Sequence, residues 1–221
     1  MITYLLPLMM LVSDGYVSAY GAEAVTAADF YEDHRGLFVK YFPDAVEEER
    51  LLIYSIVAPE VSQYNAFRDF FEVKALQVKY VKDRSCDYSV GCFQMKPSFA
   101  ESLESEIANN ASLRGKYGKM FSYKAKSAAD KRSERVERLS SVEWQIKYLA
   151  VFVEVAKLRT ANWSIKGDAE RLRCWATLYN SGFYLSEVRI KYRQKVKQFP
   201  RGTREFNYSD VALELYNEMK K

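Results

Sequence analysis

A chain of 221 residues suits one sizeable domain rather than two, and 48% apolar with 28% charged side chains supply a core and exclude a disordered polymer. The net charge of +4, from 33 Lys+Arg against 29 Asp+Glu, is too small and too evenly spread for a nucleic-acid-binding protein. Nine Gly and five Pro are too few for an all-β fold built on tight turns, so the composition points to an all-α chain.

Residues 1–24 have the form of an export signal. Leu5–Val12 is a short apolar core, too short to span a bilayer as a helix, and Val17-Ser18-Ala19 or Ala22-Glu23-Ala24 offers a cleavage site. An exported, periplasmic or extracellular protein without an integral membrane span is therefore expected, with one domain over 25–221. Thr26 with Asp29 predicts an N-cap and a helix to about Val39, with His34 at its solvated end as a structural or inert residue. Asp44 with Glu47 predicts a second capped helix over about 45–58, apolar from Leu51 onward as a buried helix would be. Pro59 must end or kink it, which leaves Glu60 at the end of a buried element. Burial raises a carboxyl pKa, the condition for a general acid near neutral pH, so Glu60 is the candidate acid.

Residues 64–82 form the next predicted helix, in which Glu72 among Phe70, Phe71 and Lys74 is a reserve acid. The segment 83–97 is rich in turn formers around Gly91, and Ser98 with Glu101 predicts a capping box. The charged run 125–138 reads as a mixed-sign solvated helix. Ser140 with Glu143 caps a long core helix over about 141–159, with Val142, Ile146, Leu149 and Val153 at helical spacing. Gly167-Asp168 opens a helix that ends at Tyr179-Asn180-Ser181-Gly182, and Tyr208, Val211, Ala212, Leu215, Tyr216 and Met219 form a stripe on a final helix. Among Cys86, Cys92 and Cys174, one disulfide plus a free thiol is possible and the pairing is open, with Cys174 expected as a buried thiol. No Cys/His cluster has metal-ligand spacing, and neither a metal nor another cofactor is expected.

Three pieces fall in the order found in the lysozyme-like lytic transglycosylases, a family related to goose-type lysozyme. They are Ala58-Pro59-Glu60-Val61-Ser62, then Ser85-Cys86-Asp87-Tyr88-Ser89-Val90-Gly91-Cys92-Phe93-Gln94-Met95, then Thr177-Leu178-Tyr179-Asn180-Ser181-Gly182. The chain resembles that family over about 46–185, with 186–221 as a helical extension. Val61 stands where the family has Ser, Cys92-Phe93 replaces Leu-Met, and the 25-residue separation of Glu60 and Ser85 implies an inserted helix.

The resemblance implies an all-α lysozyme-like fold, with at most a small β-hairpin or irregular loop near the site. It implies peptidoglycan glycan strands as partner and cleavage of the MurNAc–GlcNAc β-1,4 bond. Glu60 would act first as acid and then as base while the muramyl C6 hydroxyl attacks, giving 1,6-anhydro products. It also implies that Tyr179 orients the Glu60 carboxyl, that Asn180, Gln94 and the Gly91–Phe93 backbone hold the sugar, that Ser85 lies near the scissile bond, and that Phe93 forms an apolar wall. The alternatives are a lysozyme-type hydrolase with Asp87 or Asp83 activating water, about 6.5–9.5 Å from the acid, and a non-catalytic peptidoglycan-binding or assembly protein.

Overall fold

Residues 15–202 and 204–221 are described by the computed structural model, and the apolar segment Leu5–Val12 lies outside them. These residues fold as an all-α structure, with β pairing confined to the isolated bridges Val90–Met95 and Phe199–Phe206. In chain order the helices are α1 (Tyr16–Ala19), α2 (Gly21–Tyr41), α3 (Glu47–Ser55), α4 (Ala58–Ser62) and α5 (Ala66–Ala75). A π-helical turn, Leu76–Tyr80, joins α5 to α6 (Val81–Asp83). Then come α7 (Pro97–Asn109), α8 (Ala111–Tyr117), α9 (Ala128–Leu139), α10 (Val142–Thr160), α11 (Gly167–Ser181), α12 (Glu187–Arg193) and α13 (Tyr208–Met219).

The predicted core helix is α10, and it is apolar around most of its circumference. Ile146, Tyr148, Leu149, Val151, Phe152, Val153, Val155 and Ala156 are all buried, as expected of a helix enclosed by others. It packs against α2, α7, α8, α9 and α11. On the far side of α11, α13 lays its stripe of Val211, Ala212 and Leu215 against α11, α3 and α4.

Caps are where local pattern and structure part. Helix α2 begins five residues before Thr26, whose hydroxyl instead bonds back to the Ala22 carbonyl (3.0 Å). His34 is therefore inside the helix rather than at its end, stacked on Phe30 with ring centroids 4.2 Å apart. Val46, not Asp44, is the N-cap of α3. Ser98 does not cap α7; Asp87 does so from the preceding loop, accepting from the Ser98 amide (2.9 Å) and hydroxyl (2.6 Å). No side chain caps α10, and Glu143 instead accepts from Lys40 and Tyr41 of α2. In each case a partner distant in sequence, or a backbone carbonyl, takes the side chain that the local motif would use. The three cysteines are free thiols, Cys174 buried as expected.

The charged run corrects the sequence expectation in part: Lys126 to Lys131 are exposed, but the second half of α9 turns charged side chains inward. Arg135 is buried and ties three elements together: its guanidinium reaches Glu104 (2.5 Å), Glu101 (3.0 Å) and the Tyr80 hydroxyl (2.6 Å). Arg138, also buried, stacks 4.2 Å from both Tyr123 and Trp144 and donates to the Phe121 and Ser122 carbonyls. Arg132 clasps the Val81 carbonyl through two nitrogens (2.9 and 2.6 Å). Helix α9 is thus the strut that holds the segment 66–83 to α7. Truncating a partner of a buried ion pair strands the others, so Arg135→Ala should lower stability by about 3–5 kcal/mol, read as the urea midpoint.

Candidate active site

Glu60 owes its position to Pro59. The proline cannot continue α3, which ends at Ser55, but its missing N–H is harmless in the first turn of the short helix α4. Glu60 follows in that same turn, its amide bonded to the Val57 carbonyl (3.0 Å). Residues 51–59 are buried and Glu60 half-buried, so the carboxyl sits at the edge of the core.

Three distant segments enclose it. From α11, the Asn180 side chain faces the Glu60 carboxyl and favours its charged form, and the buried Tyr179 lies near enough to feel that charge. From α13, Tyr208 is buried beside it, its hydroxyl donating to the Ile56 carbonyl (3.1 Å). From α1, the Tyr16 hydroxyl meets Ser62 Oγ (2.6 Å) while Ser62 donates to the Pro59 carbonyl (2.7 Å), which fixes the turn from behind. Residues Tyr16 to Ala24, expected within an export signal, form α1 and the start of α2 with a break at Tyr20, and Tyr16 and Ala24 are buried.

Burial pushes the Glu60 pKa from 4.5 up to about 7, partly opposed by the Asn180 hydrogen bond. No cation pairs with this carboxyl among the described residues. A carboxyl that titrates near neutrality can both give and take a proton in one turnover.

The loop 90–95 is a tight turn closed by Val90 and Met95, which exchange both backbone hydrogen bonds (3.0 and 3.1 Å). Gly91 has φ +72, and a Cβ there would lie 2.0 Å from Gln145 Nε2 and 2.6 Å from the Leu139 carbonyl, so no larger residue fits. Gln145 of α10 is fully buried and saturates the turn. Its Nε2 donates to the Val90 (2.7 Å) and Leu139 (2.8 Å) carbonyls, and its Oε1 accepts from the Phe93 amide (2.8 Å) and Cys92 Sγ (3.1 Å). Asp69 of α5 holds the outer side, accepting from the Gly91 amide (2.7 Å) and the Tyr64 hydroxyl (3.1 Å).

Set beside the sequence-based roles, the arrangement brings Glu60, Tyr179 and Asn180 together and changes what several residues do. Tyr179 does not donate to Glu60; its hydroxyl donates to the Phe93 carbonyl (2.6 Å) and couples α11 to the loop. Asn180, exposed, is the side chain that favours the ionised carboxyl. Phe93 is not a cleft wall. With its amide held by Gln145 and its carbonyl by Tyr179, its ring is turned into the core, 0% exposed and edge-to-face with Phe30 at 5.9 Å. Gln94, at φ +49, folds its amide back onto the Gly91 carbonyl (2.9 Å).

Ser85 is exposed at the corner after α6, its amide donating to Asp83 (2.9 Å). Asp83 is thereby engaged, with its pKa lowered by the Ser85 hydrogen bonds, and Asp87 is engaged as the cap of α7. Both carboxylates offered for water activation have structural work.

Gln145, Tyr208 and Asp69 escape the sequence reading. Gln145 left a trace: a polar residue between Val142 and Ile146 on an apolar stripe must find buried partners. Tyr208 and Asp69 left none beyond membership of a helix. Among the described residues no three His, Cys, Asp or Glu side chains group as a metal site. No described helix is long and apolar enough to cross a membrane. A 380 Å³ hollow lined by Trp163, Arg171 and Trp175 lies at the other end of α11 from Asn180. Compared with family models, curated proteins and solved structures, the chain matches none of them.

Proposed function

We propose that this protein is an exported lytic transglycosylase that cuts the MurNAc–GlcNAc β-1,4 bond of peptidoglycan, with Glu60 as the single catalytic carboxyl. The observation that carries this reading is a half-buried carboxyl, its pKa raised to about 7, gathered with Tyr179, Asn180 and Tyr208 from α11 and α13. In the protonated state Glu60 gives its proton to the glycosidic oxygen as the bond to the muramyl C1 breaks, releasing the GlcNAc hydroxyl. The resulting carboxylate then takes the proton of the muramyl C6 hydroxyl as that oxygen bonds C1. The ring closes, Glu60 is reprotonated, and no water is consumed. A hydrolase would need a second carboxylate to activate water or to capture the sugar. The engagement of Asp83 and Asp87 in helix-end hydrogen bonds favours the single-carboxyl route.

Digestion of purified peptidoglycan followed by mass analysis tests this. Muropeptides lighter by one water than hydrolysis products, with no reducible muramyl end, are expected. Reducing muramyl ends would establish a hydrolase instead, and sedimentation with peptidoglycan without cleavage would leave a binding protein.

A further inference from the structure

The segment 66–83 has two unlike sides. Its inner side carries Leu76 and Tyr80, both buried, and Asp69, which is spent on the Gly91 amide and Tyr64. Tyr80 reaches Glu101 of α7 (2.7 Å). Its outer side carries Phe70 (56% exposed), Phe71 (57%) and Val78 (68%), which with the exposed Lys74 recur at helical spacing. The two phenyl rings stand edge-to-face 5.6 Å apart in solvent, and the Lys74 ammonium lies 5.7 Å above Phe70. Lys79 and Lys82 are exposed on the same segment. Its other acids are Glu72, which is half-buried, and Asp83, which receives the Ser85 amide at the helix end.

Such a stripe is unlike a solvated helix face, because two large aromatic rings are more than half exposed, with the Lys74 ammonium over Phe70 and two further exposed lysines along the same segment. Stacked sugars would call for rings opening toward the Gly91 loop, yet the side facing that loop is the Asp69 side. Aromatic and aliphatic side chains at a helix surface, ringed by Lys, match the boundary of a bilayer with anionic headgroups: rings enter the acyl edge while ammonium groups meet phosphate. We propose that the outer face of the 66–83 segment, through Phe70, Phe71 and Val78 with Lys74, Lys79 and Lys82, seats the protein on an anionic lipid surface. This assignment is independent of the glycan chemistry proposed for Glu60.

The test is co-sedimentation of the full chain with phosphatidylglycerol/phosphatidylcholine vesicles and with phosphatidylcholine vesicles alone, for the wild type, Phe70→Ala/Phe71→Ala and Lys74→Glu/Lys79→Glu. All three proteins carry the apolar Leu5–Val12, so the differences between them are what is read. Binding that prefers the anionic vesicles, falls with salt and drops about tenfold or more in each double variant is expected, with thermal midpoints unchanged because the altered side chains are exposed. Equal partitioning of wild type and variants would overturn the proposal. So would a wild-type dimer that the Phe variant dissolves, which would assign the face to a second copy, or loss of peptidoglycan binding with lipid binding intact.

Discussion

Glu60→Gln should abolish glycan cleavage while making the protein more stable at alkaline pH. The first half follows from removing the only proton that the proposed step uses, an effect of about 10²–10⁴-fold in rate. The second half is a linkage argument. The folded-state pKa of Glu60 lies near 7 against an ordinary 4.5, so between those pH values the folded protein holds a proton that the unfolded chain has released. Stability contributed by the neutral carboxyl is fully present at low pH, falls as pH rises through this window, and levels off above it. The total change is about 3 kcal/mol. Glutamine cannot ionise and does not incur this loss. The Tm of Glu60→Gln minus that of the wild type should therefore widen from pH 5 to pH 8; parallel curves would mean that the carboxyl is not desolvated. An activity profile with an apparent pKa near 7 is the companion observation.

Gln145→Leu should cost nearly as much activity without touching substrate. Leucine fills the space, so little cavity forms. The Leu139 carbonyl and the Phe93 amide nevertheless lose their partner in a buried site, and the Val90 carbonyl keeps only the Met95 amide. Each of the two stranded groups costs about 1–3 kcal/mol, and the sum should reach about 2–5 kcal/mol in unfolding experiments. Gly91→Ala attacks the same joint from the other side, by forcing a Cβ into Gln145 and the Leu139 carbonyl at a left-handed φ. The two substitutions disable one device, so the double variant should fall well short of the sum of the singles. Additive losses would show that the turn is held by something other than Gln145.

The helices were largely legible in the sequence because their apolar spacing survives into the fold: α10, α11 and α13 begin and end within a few residues of the pattern. Glu60 was legible for a different reason, since a proline after an apolar run leaves few ways to place the next residue. The capping boxes were not reliable. Thr26, Asp44, Ser98 and Ser140 have the right spacing, but a cap is worth about 1 kcal/mol, and a competing tertiary partner or a shifted helix start can outweigh it. Arg135 and Arg138 misled in the same way, since their burial depends on Glu101, Glu104, Tyr123 and Trp144, none of which a local window contains. The roles of Phe93 and Tyr179 were misjudged because a backbone carbonyl was their meeting point, and backbone partners are invisible in a residue pattern.

The tyrosines at the two extremes of the described chain carry one more consequence. Tyr16 braces the turn behind Glu60 and Tyr208 lies at its flank, with the Val17 amide reaching Glu214 (3.2 Å) to join α1 to α13. The segments that pack around the Glu60 turn are thus nearly two hundred positions apart along the chain. Closing so long a loop belongs late in folding. During synthesis Glu60 therefore emerges as an ordinary, solvated glutamate with an ordinary acidity. Its raised pKa is acquired only with the burial that the folded chain supplies.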